Sequence, residues 1–156
     1  MGIALLAPVP ARFLKSALVV CADQGRVAFG TAAWELFSKV DDEYGAGIPV
    51  LIYPTHPDHD PDHLCTPSFV GFRAAYSHMQ KSKVGKHPIP ALRPIGTVDG
   101  DEPDTGWALF WEVTELARLP KESRIAITSL TGEGQNKPLS AGFVPHGPML
   151  VKATFL

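Results

Sequence analysis

The chain has 156 residues, a formal net charge of −2 at pH 7 and 45% hydrophobic residues. This length predicts a single domain spanning residues 1–156, and the hydrophobic fraction excludes a disordered chain. The charge excludes a globally basic nucleic-acid-binding protein, so any such binding must come from a local patch. The only two cysteines, Cys21 and Cys65, are too few for a disulfide framework and favour a reduced, cytoplasmic protein.

The N-terminal stretch MGIALLAPVP lacks the basic segment of a signal peptide, and Pro8 and Pro10 interrupt its apolar run. No apolar run in the chain approaches the length of a membrane span, so we expect no membrane partner. The 15 prolines and 14 glycines favour short elements joined by tight turns.

The hydrophobic pattern of the first half predicts one clear helix, TAAWELFSKVDDEYG, with Thr31 as its N-cap and Gly45 closing it. Three elements precede this helix: the strand IALLAP, the ambiguous segment ARFLKSALVVCADQG and the strand RVAFG. The strand that follows it, GIPVLIYP, is apolar on both faces, which is typical of a central position.

Alternation in SFVGFRAAYSHM places Val70, Phe72, Ala74 and Tyr76 on one face of a strand and Arg73 on the other. Further strands are predicted at WALFWEVTEL and GPMLVKATF, while RIAITSL fits either a strand or a short helix. About six strands with one or two helices predict a mostly β, α+β domain. Their irregular spacing favours a small barrel over a simple sandwich.

The stretch YPTHPDHDPDHLCTP contains three histidines, three aspartates and a cysteine behind an apolar strand. Binuclear zinc hydrolases use a similar pattern, which makes His56, His59 and His63 an alternative metal site. The spacing of His56 and His59 is one residue too long for that pattern, and four prolines favour a solvated connection between strands. We therefore expect no metal and no other cofactor, with a metal-dependent hydrolase as the alternative.

Arg73 is predicted to lie mid-strand among apolar neighbours, where a buried charge is costly unless it is paired. We expect it to pair with an acid such as Glu112 or to point into a ligand cavity. Trp107 and Trp111 share one face of their strand, either as core residues or as a stacking surface for a flat ligand. The densest basic stretch is either a solvated loop or a contact for nucleic-acid phosphates, and it contains Lys81, Lys83, Lys86, His87 and Arg93.

The order of these elements resembles the PUA-like superfamily, especially its EVE and ASCH branches. The resemblance extends roughly from Ile3 to Val151, and its segments are RVAFGTAAWELFSKV, GAGIPVLIYPT, FVGFRAAYSHM, HPIPALRP, WALFWEVTELARLP, RIAITSL and GFVPHGP. It implies a PUA-like pseudo-barrel with a cleft between the first helix and the neighbouring strands. It also implies binding of RNA or of modified nucleobases.

By position, the resemblance places six residues in this cleft: Phe29, Gly30, Thr31, Tyr53, Thr55 and Arg73. It implies stacking by Phe29 or Tyr53, and contact between Arg73 and an anion or a carbonyl. Backbone N–H groups near the predicted helix start would donate to the ligand. The residues proposed to contact a nucleic-acid backbone are Lys81, Lys83, Lys86 and Arg93.

The resulting hypothesis is a domain that binds RNA, modified DNA or a nucleotide. The alternative is a small hydrolase, which would depend on a metal held by the 56–63 loop or act on a modified nucleoside. The residues favour binding over catalysis and leave the question of catalysis open.

Overall fold

The computed structural model describes residues 2–56, 60, 64–94, 107–139 and 147–153. The two α-helices of these ranges are α1 (Ala11–Gln24) and α2 (Trp34–Lys39), and a π-helical turn at Val40–Tyr44 continues α2. The strands are β1 (Gly2–Pro10), β2 (Val27–Thr31), β3 (Pro49–Thr55), β4 (Phe69–Val70), β5 (Phe72–Lys81), β6 (Leu109–Arg118), β7 (Ile125–Ala126) and β8 (Met149–Ala153). Short 3-10 turns occupy Pro90–Leu92, Lys121–Ser123 and Ile127–Ser129.

Six strands form one mixed sheet in the order β2-β6-β5-β3-β1-β8, and β4 pairs with β7 in a separate small sheet. Strands β1 and β3 are parallel, whereas the other neighbours in the large sheet are antiparallel. The predicted α+β class is therefore confirmed. Within the described ranges no hydrogen bonds join β2 to β8, so the paired sheet has two edges, and a pseudo-barrel stays an implication of the resemblance.

Helix α1 connects β1 to β2, which lies at the far edge of the sheet. The segment that sequence left ambiguous is therefore helical, and it buries an apolar stripe that includes Leu14, Ala17 and Cys21. The helix ends at Gly25, whose φ of 81° is left-handed and whose N–H donates to the Cys21 carbonyl at 2.8 Å. Glycine suits this position because a Cβ would be strained there. None of the helices in the described ranges is long and apolar enough to cross a membrane.

The sheet has packed residues on both faces. The face that carries α1 includes Phe72, Ala74 and Tyr76, as the alternation predicts. Val70 instead packs in the cluster on the opposite face, so its predicted side is wrong. The reason is that β4 pairs with β7 and the chain joins the large sheet only after Gly71, which breaks the alternation. The predicted central strand β3 is buried from Val50 to Pro54.

Tyr76 ties the π-helical turn to the sheet. Its hydroxyl donates to Asp41 Oδ1 at 3.0 Å, and the Met79 backbone N–H donates to the same oxygen at 3.3 Å. Tyr76 is almost wholly buried. Burial, with the Asp41 carboxylate beside it, raises the pKa of the phenol far above its ordinary value, and burial raises the pKa of Tyr53 to about 12.

We predict that the protein loses stability at alkaline pH because these phenols stay protonated in the fold and ionise in the unfolded chain. The contribution is complete below about pH 10, the unfolded pKa. Above it, each such tyrosine lowers the free energy of unfolding by up to about 1.4 kcal/mol per pH unit. Urea unfolding of Tyr76→Phe should show lower stability at pH 7, from the lost hydrogen bond, but a shallower fall above pH ~10. Parallel pH curves for the variant and the parent would contradict this explanation.

Candidate functional site

One end of the large sheet gathers exposed aromatic and lysine side chains. Three strand ends meet there, because Leu109 at the start of β6 lies opposite Thr31 at the end of β2 and opposite Lys81 at the end of β5. The backbone N–H of Ala108 donates to the Thr31 carbonyl at 3.2 Å and fixes the chain just after Trp107. We call this region the tryptophan–lysine end, and its residues are Trp34, Lys81, Lys83, Lys86 and Trp107.

Trp107 lies flat against the backbone of Gly30. A Cβ placed on Gly30 would be 2.5 Å from the indole ring, closer than any real contact. Glycine is therefore the residue that lets the ring approach this strand. Trp107 is still 38% exposed, so part of the residue is seated on β2 and another part faces solvent.

Trp34 begins α2 and exposes 42% of its surface. The Lys81 ammonium lies 5.7 Å from the centre of its ring, within the range of a cation–π contact. An exposed indole with a cation beside it offers both an apolar plane and a positive charge. This combination suits a ligand that has a flat ring and an anionic group.

Lys83 and Lys86 are exposed on a tight turn that follows β5. Their backbones exchange two hydrogen bonds, of 2.7 and 3.1 Å. Both residues between them have left-handed backbones, Val84 with φ 55° and Gly85 with φ 76°. A β-branched residue rarely adopts this conformation, and Val84 is also 93% exposed. The turn therefore presents two lysines and an apolar tip to solvent.

A buried carboxylate holds the chain that follows this turn against the sheet. Glu112 of β6 is 1% exposed, and His87 Nε2 lies 3.0 Å from its Oε2. The backbone N–H of Ile89 donates to His87 Nδ1 at 2.8 Å. Since that N–H can only donate, Nδ1 accepts, and the Nε2–H of the neutral ring donates to Glu112.

Two groups at the surface also approach Glu112. Arg26 Nε lies 3.1 Å from Oε1, and His78 Nε2 lies 3.4 Å from Oε2. Oε1 is buried and accepts no aligned hydrogen bond from the described residues, so Arg26 compensates its charge through proximity alone. Arg26 and His78 side chains are each 40% exposed, which places them at the rim of this cluster.

Arg93 fastens the other end of the same segment. Its Nη1 donates to the carbonyl of Ala28 at 2.7 Å, and its guanidinium lies 4.9 Å from the centre of the Phe110 ring. His87 meets the same ring edge-on at 5.1 Å. Residues 82–94 are therefore folded over β2 and β6, and the lysine turn projects from an anchored base.

Of the six residues predicted to share a cleft, the structure places Gly30 and Thr31 at the tryptophan–lysine end. Thr55 and Arg73 lie towards the other end of the sheet, because β3 pairs antiparallel with β5 through Ile52 and Phe72. Arg73 and Lys81 are eight residues apart on β5, or roughly 26 Å at about 3.3 Å per residue. The prediction that one cleft contains all six residues is therefore wrong.

The stacking role predicted for Phe29 or Tyr53 is wrong because both rings are buried. Phe29 is 5% exposed and packs on Trp111 with ring centres 4.7 Å apart, and Tyr53 is 2% exposed in the opposite cluster.

Thr31 is also buried, and its hydroxyl accepts from the Ala33 N–H at 3.0 Å. It ends β2 instead of capping a helix at residue 32, so α2 begins later than predicted.

The structure contradicts the pairing of Arg73 with Glu112 and the exposure of Arg93 to a nucleic acid. Arg73 is exposed and does not pair with Glu112. Glu112 instead lies on β6 with its own partners, while Arg73 is opposite Ala117 near the far end of that strand. Arg93 is buried against Ala28 and Phe110, so it is not available to a nucleic-acid backbone. Lys81, Lys83 and Lys86 are exposed, and their role stays a prediction.

Only part of the histidine-rich loop is described. His56 is exposed with a left-handed φ of 50°, and His59 and His63 lie outside the described residues. Across 2–56, 60, 64–94, 107–139 and 147–153, no group of three or more His, Cys, Asp or Glu could hold a metal ion. The alternative metal site at these histidines therefore stays a prediction.

Sequence reasoning missed Trp34 and the Glu112 cluster. Trp34 had the signature of a first-turn helix residue, and nothing in the pattern showed that its ring is exposed beside Lys81. Trp107 and Trp111 are not on one face, because Trp111 packs in the core with α1 whereas Trp107 covers the opposite side of β2 at Gly30. The signal that could have found this is Gly30 itself, since a glycine inside a strand often marks a close approach.

No family model matches the chain, and no curated protein matches it either. Within the part of the chain that the structure describes, the tryptophan–lysine end combines exposed aromatic rings with cations.

We predict that Gly30→Ala lowers the free energy of unfolding by about 1–3 kcal/mol, because the new methyl displaces the Trp107 ring. The ring should become more exposed, which a red shift of tryptophan emission would report. Gly71→Ala is the matched control, since a Cβ there meets nothing within 4 Å. This control should be as stable as the parent or more stable by about 0.4–1 kcal/mol, because alanine restricts the unfolded chain. Equal effects of the two variants would mean that Trp107 is not seated on Gly30.

We predict that His87→Ala destabilises the protein by about 3 kcal/mol, because it leaves Glu112 buried without its main hydrogen-bond donor. Hydrogen exchange should also quicken at the backbone N–H groups of Leu92 and Arg93, which close the 3-10 turn of this segment. His78→Ala removes a more distant, exposed partner and should cost less than about 1 kcal/mol. The assignment fails if the two histidine variants are equally stable.

Proposed function

We propose that this protein binds single-stranded nucleic acid through the tryptophan–lysine end. The observation that carries the proposal is that two exposed tryptophans, Trp34 and Trp107, and three exposed lysines lie where three strands end. A single strand presents unpaired bases that stack on aromatic rings and phosphates that attract lysines. The resemblance to PUA-like domains supports the same class of ligand, either RNA or base-modified DNA.

Stacking supplies the larger part of the binding free energy in this proposal. Each base stacked on an aromatic ring contributes about 1–3 kcal/mol in proteins of this kind. Seating Trp107 on Gly30 restricts its ring before a ligand arrives, so less side-chain entropy is lost on binding. The cation beside Trp34 also lies where the phosphate of a stacked nucleotide would come close.

The lysines supply the salt dependence. Lys81, Lys83 and Lys86 would displace condensed counterions from the strand. For three such contacts on a single strand, the logarithm of affinity should fall with the logarithm of salt concentration at a slope of about −2. The anchored segment 82–94 keeps two of these lysines on one turn, so they should act together.

The test is fluorescence anisotropy with labelled single-stranded RNA, DNA and base-modified DNA between about 50 and 200 mM salt. Lys83→Ala with Lys86→Ala should change the salt slope from about −2 to about −0.7. Trp107→Ala should weaken binding about tenfold and leave the slope unchanged, since it removes stacking and no charge. Lys137→Ala, on an exposed lysine of another loop, is the control.

Salt-sensitive binding that weakens only in the first two variants supports the proposal. If none of the three nucleic acids binds, or if Lys137→Ala weakens binding as much as the double lysine variant, the proposal is overturned. Preference among the three probes then identifies the nucleic acid.

A further inference from the structure

A second polar region lies at the opposite end of the sheet, where β6 ends. An open cavity of about 520 Å³ lies between the chain that follows β6 and the short stretch before β4. Its lining residues are Cys65, Thr66, Arg118, Leu119, Pro120, Lys121 and Arg124. None of them belongs to the tryptophan–lysine end, so this cavity is separate from the proposed nucleic-acid surface.

Three cations line this cavity, Arg118, Lys121 and Arg124, and no acidic residue does. The exposed Glu122 lies between two lining residues in the chain, and the Asp60 carboxylate is engaged beside Cys65. One of its oxygens accepts from the Leu64 N–H at 3.1 Å and the other from the Cys65 N–H at 2.9 Å. The lining residues therefore carry three positive charges, and two backbone N–H groups hold the Asp60 carboxylate beside Cys65.

Arg124 is positioned before any ligand binds. Its Nη2 donates to the Leu64 carbonyl at 3.0 Å, and its Nη1 donates to the hydroxyl oxygen of Thr66. A guanidinium has five N–H groups, so these two bonds leave others for a ligand. Its Nε is buried and has no hydrogen-bond partner among the described residues. Thr66, which accepts from Arg124, keeps its own hydroxyl hydrogen for donation.

The Cys65 side chain would not repel an anion bound in the cavity, because its thiol is neutral. Burial, followed by the charge of Asp60, raises the pKa of its thiol to about 11. The sulfur is therefore protonated at neutral pH and carries no negative charge. A neutral thiol is also a poor nucleophile, which favours binding over thiol chemistry in this cavity.

We propose that this cavity binds a tetrahedral dianion, either free phosphate or the phosphate group of a monoester. Arg124 and Thr66 form the fixed side of the site, and the exposed Arg118 and Lys121 close over the anion from the mouth. Arginine suits this ligand because its planar fork matches two phosphate oxygens at once. The cavity is also much larger than one phosphate group, which leaves room for the organic part of a monoester.

The test is a titration of the full chain, followed by amide chemical shifts in NMR, with inorganic phosphate, adenosine 5′-monophosphate and sodium chloride at matched ionic strength. We expect saturable shifts for residues 64–66 and 118–124 with the two phosphates and none with chloride. Saturation by both phosphates at equal affinity identifies free phosphate as the ligand, and tighter binding of the nucleotide identifies a monoester. No saturable shift, or the same shifts with chloride, overturns the proposal.

Variants separate this site from the proposed nucleic-acid surface. Arg118→Ala with Lys121→Ala removes two exposed cations and should weaken phosphate binding at least about tenfold. Arg124→Lys keeps the charge but loses the fork, and it should weaken binding by a similar factor. The double variant Lys83→Ala with Lys86→Ala should bind phosphate as the parent does. If it loses phosphate binding while Arg118→Ala with Lys121→Ala retains it, the cavity is not the site.

Discussion

The tryptophan–lysine end depends on the burial of one carboxylate. Glu112 lies in the middle of β6 with almost no exposure, in a position where an unpaired charge would cost several kcal/mol. The cost is offset because residues 82–94 fold back over β2 and β6 and bring His87 to it. The sheet therefore needs this segment to compensate a charge, and the segment needs the sheet to have a fixed conformation.

The conformation of the lysine turn at the tryptophan–lysine end depends on this packing of residues 82–94 against the sheet. Ser82 donates to the Ala108 carbonyl at one end of the lysine turn, and His87 meets Glu112 just after it. A turn held at both ends can keep Val84 in a left-handed backbone that the residue disfavours, since the surrounding contacts offset the strain. Such strain is found where a turn's shape matters, and here the shape keeps Lys83 and Lys86 facing solvent together.

The local sequence pattern was sufficient to predict the strands, but it did not show which charged residues are buried. The strands and the α+β class follow from alternation and apolar runs, which are properties of neighbouring residues. Arg73 and Glu112 look alike in sequence, since each is a charge inside an apolar strand, yet the first is exposed and the second is buried. The difference lies in what covers each position. The cover over Glu112 is a segment that the sequence presents as a basic loop, either solvated or in contact with phosphates, and no periodicity shows where such a loop folds.

Long-range topology also explains why the six residues predicted to line one cleft lie in different parts of the sheet. A resemblance in the order of elements assigns site roles to residues by their position in the chain, but it does not determine which strand ends are adjacent in the sheet. In this sheet β5 runs from one polar region to the other, so Arg73 and Lys81 cannot share a ligand of nucleotide size. The overall charge of −2 conceals two positive regions of different chemistry. The region with exposed indoles suits bases, whereas the lining of the cavity beyond Arg118 contains no aromatic ring and suits a phosphate group.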